Sequence, residues 1–441
     1  MKNGLCELWC EKNALPLWKR KFKSTTHYII MAGIYVHVPF CKTRCIYCGF
    51  FSTTSMNLMP KYVETVLCEL HERRDYLKGQ TVETLYFGGG TPSQLPVAAL
   101  RRIIDAVHII YKDSAACEAM DEAACERNAM SKEQNEANVE GRVVNEQHVA
   151  SRKFLEEVTV EANPDDITPE WLEAVKDAGV NRLSIGVQTF NDDRRRLIRR
   201  RHTSIQAVQA VRMAQDAGFD NVSIDLMFGF PEQTLAEWQS DLEHAVSLGV
   251  QHLSAYSLMY EDGTPLARML DAGQINEIDD ELSLAMFERL VDVASSAGYR
   301  HYEISNFALP GRESRHNSSY WHGVPYLGVG PGAHSYSGTQ RCYNPDSLTE
   351  YIAGSKPVLE TLTELERYDE YVFTRLRTAE GIDIADMERT FGSMAVAKLL
   401  SDSASQVSRG MLVYDGIALR LSRRGIFVSN DIMSDLMAVE D

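Results

Sequence analysis

With 441 residues the chain is too long for one small core and suits two or three domains. Its 45 lysines and arginines against 62 acidic residues give a formal charge of −17, which argues against nucleic acid or an anionic membrane as the main partner, since either requires a cationic face. A hydrophobic content of 44% excludes a disordered chain, and no stretch approaches the ~20 apolar residues that a membrane span requires.

Residues 1–30 hold Glu7, Trp9, Glu11, Trp18 and several lysines with no continuous apolar run, so no secretory leader is expected and the segment reads as an N-terminal extension. Arg20 and the early lysines leave a mitochondrial leader open. The nine cysteines are an odd number, and three of them crowd between 41 and 48, which suggests metal binding in a reducing compartment such as the cytoplasm.

From 31 to 260 short β-branched runs alternate with helical patterns. Strands are predicted at 34–38, 84–87, 158–161, 182–185, 222–226 and 252–256. Helices are predicted at 62–77, 96–111, 168–178, 205–217 and 235–248. Six strand–helix units in series imply parallel strands with right-handed crossovers, an α/β fold forming a complete or partial (β/α)6 barrel. Chemistry on such a barrel is expected on loops at the carboxyl ends of the strands. The stretch 113–150 breaks the rhythm with nine acidic residues against three basic ones and no apolar period. A solvated, disordered insertion is expected there, with Cys117 and Cys125 as bystanders. A segment from 261 to 345 follows the barrel. Beyond it, 346–441 reads as a smaller α+β domain, with helices at 348–353, 368–377, 384–390 and 394–406 and strands at 412–415 and 417–421.

The strongest chemical motif is Cys41-Lys-Thr-Arg-Cys45-Ile-Tyr-Cys48, directly after the first strand. Three thiolates on a short loop can hold a 4Fe–4S cluster and leave one iron open. A three-cysteine zinc site or plain core cysteines are the alternatives. Zinc usually takes a fourth ligand at finger-like spacing, and His37 lies across a strand–proline turn.

Gly88-Gly89-Gly90-Thr91 closes the second strand, where glycines let the backbone approach a ligand or simply form a tight turn. Glu161 is placed at the end of the third strand, Gln188 at the end of the fourth and Asp225 at the end of the fifth. Singly these fit helix caps; together they converge on one barrel mouth. The six arginines between 194 and 201 read mostly as a solvated face. Further on stands His316-Asn-Ser-Ser-Tyr320-Trp321, where an imidazole can ligate haem iron and the aromatics can supply stacking area. The nearby loop Gly328-Val-Gly330-Pro-Gly332-Ala-His334 is either a tight turn or a second ligand contact.

C-x3-C-x2-C after the first strand of an α/β barrel resembles the radical S-adenosylmethionine (SAM) enzymes, over about 33–430. The resemblance implies a 4Fe–4S cluster on Cys41, Cys45 and Cys48, with SAM chelated to the open iron and cleaved on reduction to methionine and a 5′-deoxyadenosyl radical. It implies SAM contacts from Tyr35, Tyr47, Gly89, Gly90, Thr91, Glu161, Gln188, Arg200 and Asp225. Within that superfamily the chain resembles the oxygen-independent coproporphyrinogen III dehydrogenases and their HemW-type haem-chaperone paralogues. The dehydrogenases carry a further cysteine where this chain has Phe50, and 316–321 match the H-N-x-x-Y-W segment that the chaperones use for haem. The resemblance therefore implies a haem chaperone. It would bind haem through His316, Tyr320 and Trp321, pass it to haem-acceptor proteins and draw on a low-potential electron donor. The alternative is radical oxidative decarboxylation of coproporphyrinogen III, and a third reading keeps cluster and SAM without radical chemistry.

Overall fold

The computed structural model describes residues 31–77, 79–112 and 154–438. The expected extension at 1–30 and insertion at 113–150 lie outside the described residues, with Cys6, Cys10, Cys117 and Cys125.

Six strands appear where the β-branched runs predict them: β1 (Met31–Val38), β2 (Thr81–Gly89), β3 (Glu157–Ala162), β4 (Arg182–Gln188), β5 (Val222–Phe228) and β6 (His252–Ser257). Between them run α1 (Met59–Glu72), α2 (Val97–Lys112), α3 (Pro169–Asp177), α4 (Asp192–Leu197), α5 (Ser204–Asp216) and α6 (Leu235–Ser247). Thr203 and Thr234 close reciprocal capping boxes at α5 and α6, which fixes where the barrel-mouth loops end and the helices begin.

Period-two alternation explains how these strands serve both a core and a site. One phase is apolar: Ile34, Val36, Leu85, Phe87, Val158, Val160, Leu183, Ile185, Ile224 and Leu226 are buried in one core with the helices. Each such side chain contributes roughly 1.5–3 kcal/mol of burial. The other phase is polar: Tyr35, His37, Thr84, Tyr86, Glu161, Arg182, Ser184, Asp225 and His252 line the lumen side. Asp225, expected at the end of β5, stands in its middle, since the strand runs on to Phe228. Its carboxylate is thereby held inside the lumen instead of at the rim.

The main sheet is larger than six strands. After α7 (Pro265–Asp271) and α8 (Asp280–Ser296), the chain adds β7 (Arg300–Glu303), β8 (Asn306–Ala308), α9 (Arg315–Trp321), β9 (Tyr326–Val329), β10 (His334–Tyr336), β11 (Gln340–Tyr343), α10 (Leu348–Ile352) and β12 (Val358–Thr361). The order is β12-β11-β10-β9-β1-β2-β3-β4-β5-β6-β8-β7. Strands β9 and β1 to β6 are parallel, and the sheet remains open instead of closing on itself. Strand β1 is therefore interior, flanked by β2 and β9.

A second core lies in α11 (Glu364–Leu376), β13 (Ile382–Asp383), α12 (Ile384–Phe391), α13 (Ser393–Ser408), β14 (Leu412–Tyr414), β15 (Ala418–Leu421), α14 (Arg423–Phe427) and α15 (Ser429–Leu436). It is built on Val372, Leu376, Met387, Leu399, Leu419, Ile432 and Met433, around the three-stranded sheet β13-β15-β14.

Candidate functional site

The cysteine loop leaves β1 through Pro39 and returns at once. Thr53 N donates to Pro39 O at 2.7 Å and Cys41 N to Thr53 O at 2.9 Å, so residues 41–53 form a closed loop over the lumen mouth. Its middle is anchored by Ile46, which is buried with Ile198, Met227, Phe230, Leu258 and Leu266. Cys41, Cys45 and Cys48 are free and half-buried. Cys41 Sγ lies 3.3 Å from Thr91 Oγ1, and Arg200 Nη1 lies 3.7 Å from Cys45 Sγ. Burial pushes the Cys41 and Cys48 thiols up, while Thr91 and Arg200 act in the opposite sense on Cys41.

Among the described residues no three of His, Cys, Asp and Glu stand close enough to hold one metal ion. Three free thiols on one short loop are a donor set in which each sulfur could take a separate iron of a multinuclear cluster. Phe50, within this loop, is 69% exposed.

The glycine turn after β2 is dictated by its neighbours. Gly89 has φ +105°, and a Cβ there would stand 2.5 Å from the His37 ring; a Cβ on Gly90 would stand 2.8 Å from the Pro39 and Val38 backbone. These glycines thus let the turn pack against the base of the cysteine loop and bring Thr91 to Cys41. Asp166 ties the region together by accepting from Lys42 Nζ and Ser93 Oγ at 2.8 Å and from Gln94 Nε2 at 2.5 Å.

Across the mouth, Gln188 adopts φ +70° at the point where the β4–β5 register shifts. A left-handed glutamine is a strained backbone, of a kind concentrated at functional sites. Arg200 Nη2 donates to Gly186 O, and a Cβ on Gly186 would crowd both Arg200 and Gln188. Arg200 thereby joins the end of β4 to Cys45, and its charge acts on Tyr47. The arginine run is divided, half of it exposed as expected and half drawn into the structure. Arg195 is 1% exposed and bound to Thr189 O and Asp192, Arg194 holds Pro231 O and Glu237, and Arg201 pairs with Asp165. Arg196 and Arg199 are exposed, as expected.

One layer down, Glu161 accepts from Tyr86 Oη at 2.8 Å and from Gly89 N at 3.2 Å. Burial, reinforced by Asp225, pushes its carboxyl up to about 7. Burial likewise raises Asp225, which accepts from Ser184 Oγ at 3.1 Å. Tyr35 stacks at 6.1 Å on Tyr86, and its hydroxyl reaches His37 Nδ1 at 3.1 Å.

His316 enters this lumen from the opposite end. Glu157, the first residue of β3, accepts from Arg315 N at 3.1 Å and His316 N at 3.0 Å, and so seats the start of α9 at the amino ends of the strands. The imidazole is 1% exposed and stacks on Tyr86 at 5.1 Å. Burial, with the Arg182 charge, pulls it down to about 3, so it is neutral. Tyr320 lies one helical turn on, on the same face, with its hydroxyl 2.7 Å from His316 Nε2. Trp321 points elsewhere, with the Arg377 guanidinium 4.7 Å over its ring, so the motif presents two side chains to the lumen instead of three. His334 is exposed and stacks on Tyr343 at 5.4 Å.

Sequence reasoning missed Tyr86, Thr84, Arg182 and Asp166. The signal for the first three was the polar phase of β2 and β4, which alternates with an apolar phase and so reads as a filled polar lumen.

Residues 35–245 match the Radical SAM superfamily and residues 362–428 match the HemN C-terminal domain. The chain is 30% identical to the haem chaperone HemW of Lactococcus lactis, covering 91% of this chain and 96% of the relative. It is 31% identical to the cattle protein named radical S-adenosyl methionine domain-containing protein 1, mitochondrial, covering 92% and 87%. In fold it matches the Escherichia coli coproporphyrinogen III oxidase HemN, with a TM-score of 0.73 at 20% identity over 92% of this chain and 90% of that one.

Proposed function

We propose, for a chain that belongs to the radical SAM superfamily and within it to the HemW-type haem chaperones, that it binds haem and hands it to haem-acceptor proteins under the control of a 4Fe–4S cluster and SAM. The observation that carries the reading is His316, a neutral imidazole in the same polar lumen as Glu161 and Asp225. Neutral imidazole is the form that ligates haem iron.

Cys41, Cys45 and Cys48 would hold the cluster. Tyr35, Tyr47, Gly89, Gly90, Thr91, Glu161, Gln188, Arg200 and Asp225 would hold SAM. When bound, the pair supplies a reducible centre beside a sulfonium. The chain's own contribution is to place an arginine and a threonine hydroxyl against the cysteine sulfurs and two raised carboxyls beneath them, with aromatic rings excluding water. His316, Tyr320 and Trp321 are the proposed haem residues, with Tyr320 beside the imidazole and Trp321 under the Arg377 guanidinium. A low-potential electron donor is the expected partner. No described helix is long and apolar enough to cross a membrane, and a cytoplasmic location is part of the proposal.

Phe50, with no thiol at the position of the dehydrogenases' further cysteine, supports the chaperone over radical decarboxylation. The test is an anaerobic haem titration of cluster-reconstituted protein, followed at the Soret band, for wild type and His316→Ala. One haem per chain, lost in the variant, is expected. Absence of saturable binding in wild type would overturn the reading and direct attention to coproporphyrinogen III turnover.

A further inference from the structure

We propose that Tyr320 is a removable cap on the iron-binding nitrogen of His316, and that Thr84 is the positioning residue that decides which nitrogen that is. The inference rests on haem ligation through His316 and goes beyond it, because it assigns the ligating atom and the group that must leave first.

Both ring nitrogens of His316 are engaged. Nδ1 lies 2.7 Å from Thr84 Oγ1, and Nε2 lies 2.7 Å from Tyr320 Oη. The Tyr320 hydroxyl has Nε2 as its hydrogen-bond partner among the described residues. A phenol in these surroundings directs its proton at an acceptor, since an unmet donor costs about 1–3 kcal/mol. A neutral ring offers one lone pair to these two hydroxyls. Ligation of iron through Nε2 requires that lone pair to be on Nε2, where Tyr320 donates to it, and the ring proton to be on Nδ1, donated to Thr84 Oγ1.

The two partners differ in how firmly they are held. Thr84 is buried on β2, paired on one side with β1 and on the other with β3. Gly33 makes room for the pair: a Cβ there would stand 2.7 Å from Thr84 Oγ1 and 3.1 Å from the His316 ring. Tyr320 belongs to the same seven-residue helix as the histidine, is only half-buried, and meets Tyr326 edge-on at 4.6 Å. The histidine lies behind it at 1% exposure. The Nδ1 contact is thus built into the sheet, while the Nε2 contact is with a side chain nearer the surface.

Iron binding then exchanges one bond for another. The Tyr320 O–H···Nε2 hydrogen bond breaks, the Nε2 lone pair goes to iron, and the Nδ1 proton stays with Thr84. No proton is released. A partner that draws Tyr320 or α9 away exposes the ligand, and return of the hydroxyl competes with the iron for the same lone pair.

The experiment is stopped-flow ferric haem association, read at the Soret band under anaerobic conditions, for wild type, Tyr320→Phe, Thr84→Val, Thr84→Ser and His316→Ala. It is combined with the ¹⁵N imidazole shifts of His316 in haem-free wild type. Tyr320→Phe should ligate about tenfold faster, the worth of one lost hydrogen bond. Thr84→Val should weaken ligation about tenfold, and Thr84→Ser should restore it. The wild-type shifts should show Nδ1 protonated and Nε2 bare, a reading that does not depend on any variant folding. Ligation that depends on His316 but is no faster in Tyr320→Phe, or a protonated Nε2, would overturn the cap and leave the haem assignment standing. Haem binding unchanged in His316→Ala would overturn both.

Discussion

The Tyr86 hydroxyl donates to Glu161 Oε1 at 2.8 Å while Asp225 shares the same buried lumen. Without a cationic ligand, two carboxyls so placed cannot both ionise easily, and Glu161 is the one held up to about 7. SAM carries a sulfonium, so its binding should favour the ionised carboxylate. We expect SAM affinity to rise with pH, by up to about tenfold per unit below pH 7, and to level off above it. Glu161→Gln should bind more weakly and lose that slope. Isothermal titration from pH 5.5 to 8.5 checks this, and an affinity independent of pH in wild type would refute it.

Gly89→Ala should be disproportionately damaging for so small a change. The φ of +105° disfavours alanine, and its Cβ would meet the His37 ring, which is buried and held at both nitrogens by Tyr35 and Phe51 O. A loss of at least about 2 kcal/mol is expected. Because the same turn delivers Thr91 to Cys41, iron content after reconstitution should fall together with the urea midpoint. Unchanged iron with normal stability would contradict the packing argument.

Acid should destabilise the fold well before carboxylates are exhausted. His316 and His202 are both pulled down to about 3 by burial, with nearby arginine charge acting in the same direction. Their unfolded forms take up protons near pH 6.5, so between 6.5 and 3 the unfolded chain binds more protons than the native one. Stability therefore falls as pH falls, by about 1.4 kcal/mol per unit for each imidazole. Glu161 opposes this between about 4.5 and 7, since its raised carboxyl favours folding at lower pH. The two imidazoles outweigh it. Urea midpoints at pH 5, 6 and 7.5 give the slope, and His202→Gln combined with His316→Gln should flatten it.

Arg200→Met removes a buried cation from beside Cys45 and from the carbonyl of Gly186. The reduced cluster carries more negative charge, so its potential should become more negative by on the order of tens of millivolts. SAM affinity should fall about tenfold or more. Arg200→Lys keeps the charge but not the fork, and should recover more of the potential than of the affinity. A spectroelectrochemical titration with both variants separates the two effects.

The six parallel strands were legible because each is a short run containing apolar or β-branched residues set between helical patterns, a rhythm that survives without knowledge of partners. Strands β7 to β11 were not: each has three or four residues, too few for a period, and exists because a neighbouring edge is there to receive it. The cysteine loop, Arg200 and the glycine turn were legible from spacing and resemblance. What the residues alone could not reveal was direction. His316 and Tyr320, at i and i+4, share a helix face, but Trp321 turns to Arg377, and nothing local indicates that the helix enters the lumen from the amino ends of the strands. The inward half of the arginine run was illegible for a similar reason, since the groups that engage it, Glu237 and the Thr189 and Pro231 carbonyls, come from other elements or other turns.

Strand β9 follows α9 after a short link, and its Tyr326–Val329 pair in register with Gly33–Val36 of β1, whose next residues lead into the cysteine loop. The haem-motif helix and the cluster loop are thus attached to two adjoining rails of one ladder. A displacement of α9 would be passed through β9 to the strand that leads into the cysteine loop. On the proposed function, a cargo site at one end of the lumen and a cluster site at the other would be joined through four paired residues of adjoining strands.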